Sequence, residues 1–156
     1  MAIATFAAGC FWGVEAEFAC LRGVRSTEVG YTGGSAAHPT YRKVCSHTTG
    51  HAEAVRVEYD PEVISYEDLL SAFFAMHDPT QRGRQGPDIG SQYRSAVFFH
   101  SPEQSAAATQ AVRALNTGGR YSRPVATEVV PAGDWWRAEE EHQDYFARRG
   151  RTGCSR

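Results

Sequence analysis

The order of apolar segments, some with a two-residue period and some with a 3.6-residue period, is the tightest constraint on how this chain can fold. Ala2 to Ala8 is a short apolar run that reads as a buried strand. It breaks at Gly9. Phe11, Val14, Phe18 and Leu21 then recur at spacings of three and four, one apolar helix face closed by Gly23. Val24 to Tyr31 reads as a strand, and Ala52 to Tyr59 as another, ended by Asp60-Pro61. Ser65 to Asp68 carries a capping-box signature, followed by Tyr66, Leu69, Leu70, Phe73, Phe74 and His77 on one helical face, with Pro79 as the stop. Ser95 to Phe99 is an apolar strand, Ser101-Pro102-Glu103-Gln104 starts a helix that runs to Asn116, and Val125 to Val130 reads as a further strand. Ala138 to Arg148 reads as the last helix. Strands and helices interleave, yet some strands follow one another with no helix between. That order predicts an α/β (α+β) two-layer sandwich with a mixed, plait-like sheet rather than a doubly wound fold.

The polar segments Gly33 to His51 and Arg82 to Gln92 show no period. Loops this long serve function more often than spacing, so both are expected to be active-site loops. A chain of 156 residues suits one core, and we expect a single catalytic domain over 1–156 with a mobile tail from about residue 148. A net charge of -2, with Lys43 as the only lysine, argues against a nucleic-acid surface. No apolar run reaches the roughly 18–20 residues that span a bilayer. The N-terminus lacks the basic flank of a signal peptide, so a cytoplasmic location is expected. In that compartment the four cysteines (Cys10, Cys20, Cys45, Cys154) read as thiols rather than a disulfide framework. Their spacing contains no zinc signature, and no dinucleotide or P-loop motif occurs.

Cys10 follows Gly9 at a strand-to-helix junction. A helix N-terminus offers unpaired N–H groups and a partial positive charge, both of which favour thiolate. Taken alone, such a cysteine is as readily a buried structural residue. The surrounding pattern is more specific. Gly9-Cys10-Phe11-Trp12-Gly13-Val14-Glu15 resembles the active-site signature of the class A peptide methionine sulfoxide reductases. The resemblance continues in order through Gly30 to Gly34, Pro39 to Arg42, Gly50 to Val55, His77 to Thr80, Arg84 to Asp88, Gln92 to Ala96, and Ala138-Glu139 with Glu141-His142-Gln143.

The resemblance implies that Cys10 attacks the sulfoxide sulfur and that Glu53 protonates the departing oxygen. It implies that Tyr41 and Tyr93 hydrogen-bond that oxygen, that Asp88 is a nearby carboxylate, and that Phe11 and Trp12 wall the S-methyl group. Specificity for the S-epimer, free or within proteins, comes from the resemblance alone. The chemistry agrees: a sulfoxide oxygen leaves poorly unless protonated, and a thiol attacks poorly unless ionised. A charged Glu53 would oppose the thiolate, so a shared titration is expected in which Glu53 keeps its proton and the helix terminus favours the anion of Cys10. His51 is a further possible base, although a lone loop histidine is more often structural.

The sulfenic acid left on Cys10 needs a second thiol. Cys20 lies ten residues along the same helix, roughly 15 Å away against a ~7 Å limit for a bridge, and is expected as a small core residue. The resemblance makes Cys45 structural, while its loop position leaves a recycling role open. It makes Cys154 the resolving cysteine, and the electrons then come from thioredoxin or another dithiol, with no bound cofactor. A monomer is expected. Rival readings are a thiol peroxidase or peroxide sensor built on Cys10 and Cys154, and a peptide-binding module using Trp135-Trp136.

Overall fold

A computed structural model of the chain describes residues 1–150. Strand β1 (Ala2–Ala8) sends Ala4, Phe6 and Ala8 into the main core, while Ala7 joins a smaller cluster on the opposite face with Ala52, Ala54, Ala96 and Phe98. Helix α1 (Phe11–Ala19) lays Phe11, Val14 and Phe18 onto the sheet, the ring of Phe18 stacking on Phe6 at 5.0 Å. The chain continues through β2 (Val24–Thr32), α2 (Tyr41–Cys45) and β3 (Ala52–Tyr59). Helix α3 (Tyr66–Ala75) opens on the full Ser65/Asp68 capping box. A two-residue ribbon, β4 (Arg84–Gln85) and β5 (Asp88–Ile89), precedes β6 (Ser95–Phe99) and α4 (Pro102–Thr117). The described chain closes with β7 (Glu128–Pro131), β8 (Trp136–Arg137) and α5 (Tyr145–Arg148).

The six-stranded sheet has the order β7-β6-β1-β3-β2-β8. Strands β6 and β7 are parallel and every other pair is antiparallel, so the sheet is mixed. Its centre, β6-β1-β3-β2 with α1 and α3, is a split βαβ plait, and the helices lie over the face that carries Phe6. No helix among the described residues is long and apolar enough to cross a membrane.

Three local expectations are corrected. The loops of 33–51 and 82–92 contain α2 and the β4–β5 ribbon, both too short to leave a periodic signal. The strand expected from Val125 begins only at Glu128, because the N–H groups of Val125 and Ala126 bond to Asn116 Oδ1 (2.8 Å) and Pro79 O (2.7 Å) instead of to a strand. The helix expected over Ala138 to Arg148 is broken into a 3-10 turn (Glu140–His142) and α5 by Asp144, whose φ is +51°. Tertiary bonds outweigh helix propensity there: Gln143 clamps the N–H and C=O of Val29 (3.0 and 2.9 Å), and Glu15 accepts the N–H of Asp144 at 2.9 Å. The tail expected to be mobile extends into residues 151–156, outside the described residues.

Candidate active site

Gly9 makes the turn from β1 into α1 at a φ of +106°, and a Cβ there would stand 3.1 Å from Cβ and Cγ of Gln85. Only glycine satisfies both conditions. Cys10 is therefore delivered as the N-cap residue of α1, half-buried, its thiol free and its sulfur facing the N–H groups of Trp12 and Gly13.

Beside it lies Glu53, the second residue of β3, paired across the sheet with Tyr31 and only 1% exposed. Its Oε1 accepts the N–H of Phe11 at 3.1 Å. Its Oε2 is buried with no hydrogen-bond partner among the described residues. Burial pushes this carboxyl up to about 8, aided by the charge of Asp88 and opposed by the Phe11 N–H. Burial also pushes the Cys10 thiol up, to about 11, with the charges of Glu53 and Asp88 adding to it and the two helix N–H groups opposing. The helix terminus thus acts in the expected direction but is outweighed, and at neutral pH both groups carry protons.

The β4–β5 ribbon holds Asp88 opposite Gln85, on the side that faces Cys10 and Glu53. Tyr93 ends the 3-10 turn Ser91–Tyr93, and Tyr41 begins α2. Both phenols are pushed up by burial and by the neighbouring charges of Glu53 and Cys45, and both hydroxyls lie close to the sulfur of Cys45. Cys45, expected from the resemblance to be structural, is a free thiol on the wall of the site. Its place follows from α2, which puts residues 41 and 45 one turn apart on one side of the helix. Phe11 is fully buried against Tyr31, Tyr41 and His142 at centroid distances of 5.7, 6.4 and 5.6 Å. Trp12 stacks on Tyr145 at 3.8 Å.

Two residues that the sequence reading left without a role organise this wall. The Trp12 indole N–H donates to His142 Nδ1 at 3.0 Å, and the imidazole stacks on Tyr41 at 4.4 Å. Glu139 accepts the Tyr31 hydroxyl at 2.8 Å and the Tyr41 N–H at 2.9 Å, locking α2 to β2. A continuous C-terminal helix would have turned these side chains in other directions, so the helical reading hid them. Replacing His142 by alanine is expected to lower kcat/KM about tenfold and stability by about 1–3 kcal/mol, through the lost acceptor and packing. Steady-state kinetics and a thermal melt check this.

His51 is no base for Cys10: its Nδ1 accepts the N–H of Gly34 (3.0 Å) and its Nε2 bonds to Ala36 O (2.7 Å). Cys20, expected as a thiol in the core, is instead the half-buried C-cap of α1 and is disulfide-bonded. The expectation for Cys154 lies outside the described residues. Trp135, offered to solvent in the peptide-binding reading, donates its indole N–H to Glu28 Oε1 (2.6 Å) under Arg56, and Trp136 pairs with Tyr31 in the sheet.

A family model described as peptide methionine sulfoxide reductase matches residues 2–156. A peptide methionine sulfoxide reductase MsrA of Acidobacterium capsulatum is 54% identical over 154 residues, 99% of each chain. Mxr1 of Saccharomyces cerevisiae in reduced form superposes with a TM-score of 0.88 at 33% identity, covering 96% of this chain and 86% of Mxr1. Mxr1 in complex with Trx2 superposes with a TM-score of 0.65 at 25% identity, covering 92% of this chain and 84% of Mxr1. With sequence and fold in agreement from end to end, this chain belongs to the peptide methionine sulfoxide reductase family.

Proposed function

We propose that this protein reduces the S-epimer of methionine sulfoxide, free and within oxidised proteins, and is recycled by a thioredoxin. The observation that carries the reading is Glu53: a buried carboxyl beside Cys10, uncharged below about pH 8, with one oxygen held by Phe11 and the other unpartnered among the described residues. Such a group is an acid waiting for a base, and the sulfoxide oxygen is one.

Phe11 and Trp12 receive the S-methyl group, and the hydroxyls of Tyr41 and Tyr93 turn to the sulfoxide oxygen together with the Glu53 carboxyl. Polarised in this way, the substrate sulfur becomes the electrophile. Because Glu53 is neutral, its push on the thiol is absent, and the N–H groups of Trp12 and Gly13 support the sulfur anion of Cys10 as it attacks. Glu53 gives its proton to the oxygen, and the proton lost from Cys10 restores the carboxyl. As the substrate S–O bond breaks, an S–S bond joins Cys10 to the substrate sulfur and the oxygen departs as hydroxide. Hydroxide then attacks the Cys10 sulfur and breaks that S–S bond, so methionine leaves reduced by two electrons and Cys10 is left as sulfenic acid. Asp88 holds a negative charge at the rim and helps keep Glu53 protonated.

In the fully reduced protein Cys154, as a free thiol, then attacks the sulfenic sulfur, releasing water and forming a disulfide with Cys10. Thioredoxin reopens it with a dithiol, a step in keeping with the complex that Mxr1 forms with Trx2. Cys20 is separated from Cys10 by the length of α1 and cannot resolve it directly. No bound cofactor is needed in this cycle. A thioredoxin-driven cycle suits a reducing compartment, which we take to be the cytoplasm, and one domain over 1–156 acting as a monomer suffices.

Supplied with each epimer of a methionine sulfoxide peptide and thioredoxin, the protein is expected to release methionine, seen by mass, from the S-epimer only. No consumption of that epimer would overturn the reading. A Cys154→Ser variant is expected to form one equivalent of methionine per enzyme and then stop. Sustained turnover at the parent rate would remove Cys154 from the cycle.

A further inference from the structure

Thr80, Gln81, Arg82, Arg84, Arg123 and Pro124 line an open cavity of about 350 Å³ that the reaction does not use. Three arginines line it, and among the described residues none of them forms an ion pair, although Arg84 donates to Gly86 O at 2.6 Å. Asp78 feels the charge of Arg123, and its Oδ1 accepts the N–H and hydroxyl of Thr80 at 3.0 and 2.7 Å, which keep it an anion. Three arginines against the one carboxylate of Asp78 leave the lining net positive, in a chain whose net charge is -2.

Its position matters as much as its charge. The β4–β5 ribbon pairs Gln85 with Asp88 and Arg84 with Ile89, and successive pairs in a ribbon face opposite sides. The Gln85/Asp88 pair faces Gly9 and Cys10. The Arg84/Ile89 pair faces outward, with Ile89 67% exposed. One thin wall thus separates the reactive thiol from the arginine cavity. The covalent path and the Gln85–Gly9 contact together put the Cα atoms of Arg84 and Cys10 no more than about 14 Å apart. An extended peptide covers that in about four residues.

We propose that the cavity is a substrate subsite that takes the side-chain carboxylate of an Asp or Glu lying within about four residues of the oxidised methionine. This rests on the sulfoxide-reductase reading, which fixes the methionine end of the peptide at Cys10. Guanidinium suits a carboxylate ligand, because its planar fork bonds both oxygens through two parallel N–H groups. Ile89, on the outer face beside Arg84, gives the intervening peptide an apolar surface to cross.

The test uses acetylated, amidated peptides containing one methionine S-sulfoxide, with Glu, Gln or Lys three residues to either side. A Gln peptide with a free C-terminal carboxylate separates a main-chain from a side-chain anion. At low ionic strength the Glu peptide is expected to exceed the Gln peptide about three- to tenfold in kcat/KM, through KM rather than kcat, and the advantage is expected to shrink at about 0.5 M salt. In an Arg82→Gln, Arg123→Gln double variant the ratio is expected to fall to about one, whereas Arg82→Lys, Arg123→Lys retains a preference. Equal kcat/KM for Glu and Gln in the parent overturns the proposal. So does a preference untouched in the double variant, or one that follows the C-terminal carboxylate. If no S-sulfoxide peptide is reduced at all, the sulfoxide-reductase reading itself falls, and the subsite with it.

Discussion

Replacing Glu53 by glutamine is expected to slow methionine formation about 10²- to 10⁴-fold while making the protein more stable in alkaline solution. The two effects have one origin. In the folded state the carboxyl titrates near 8, far above its ordinary value, because burial penalises its charge. Unfolded, it titrates near 4.5. A group whose native value is raised contributes its full stability below the unfolded value and loses it as pH climbs to the folded one. Between about pH 4.5 and 8 the parent therefore sheds up to about 5 kcal/mol, at 1.36 kcal/mol per unit, an upper bound for a buried site. Glutamine removes that slope and still accepts the Phe11 N–H, but it gives up the proton and leaves a buried NH₂ that costs about 1–3 kcal/mol. Melts at pH 6 and 9 should show the variant gaining on the parent by several degrees as pH rises. The carboxylic C=O stretch of the parent, absent in the variant, should fade with a midpoint near pH 8. Turnover within threefold of the parent would end the acid role.

Replacing Cys10 by serine is expected to abolish turnover altogether, leaving no methionine above the uncatalysed background. The serine hydroxyl ionises too weakly to attack, and it cannot hold the oxygen as a sulfenic acid. Stability is expected to move the other way. Cys10 is the N-cap of α1 yet makes no side-chain capping bond, and serine is among the preferred capping residues, worth about 1 kcal/mol at such a position. A melting temperature raised by about 2–4 °C, with activity lost, would show that the cap position is held by sulfur for chemistry and not for the helix. Dabsyl-methionine S-oxide consumed at the parent pace would refute the nucleophile. Both variants make the same point: the site keeps a buried acid and an uncapped helix start that the fold alone would discard.

Much of this was legible along the chain. The strands β1, β2, β3 and β6 and the helices α1, α3 and α4 announce themselves because each is long enough to show a period and carries its own stop or cap, such as Gly9, Pro79 and the Ser65/Asp68 box. Their order is enough for a mixed sheet with helices on one face. Local motifs also pointed to Cys10, Glu53, Tyr41, Tyr93, Asp88, Phe11 and Trp12, which the fold brings together, since the family pattern is written in contiguous runs.

Other features belong to the tertiary structure alone, because the energies that decide them come from partners distant in sequence. Helix α2 has five residues, too few for a period, and it alone brings Cys45 under the hydroxyls of Tyr41 and Tyr93. The C-terminal segment has helical propensity, but Gln143 bonds to Val29 and Asp144 to Glu15, and those contacts break it and aim His142 and Glu139 at the aromatic wall. The protonation of the site is decided in the same way. A helix N-terminus argues for thiolate, whereas burial, visible only once β3 lies beside α1, raises the acid and the thiol together. The sequence by itself names the atoms proposed to react, and the packing around them decides where their protons lie.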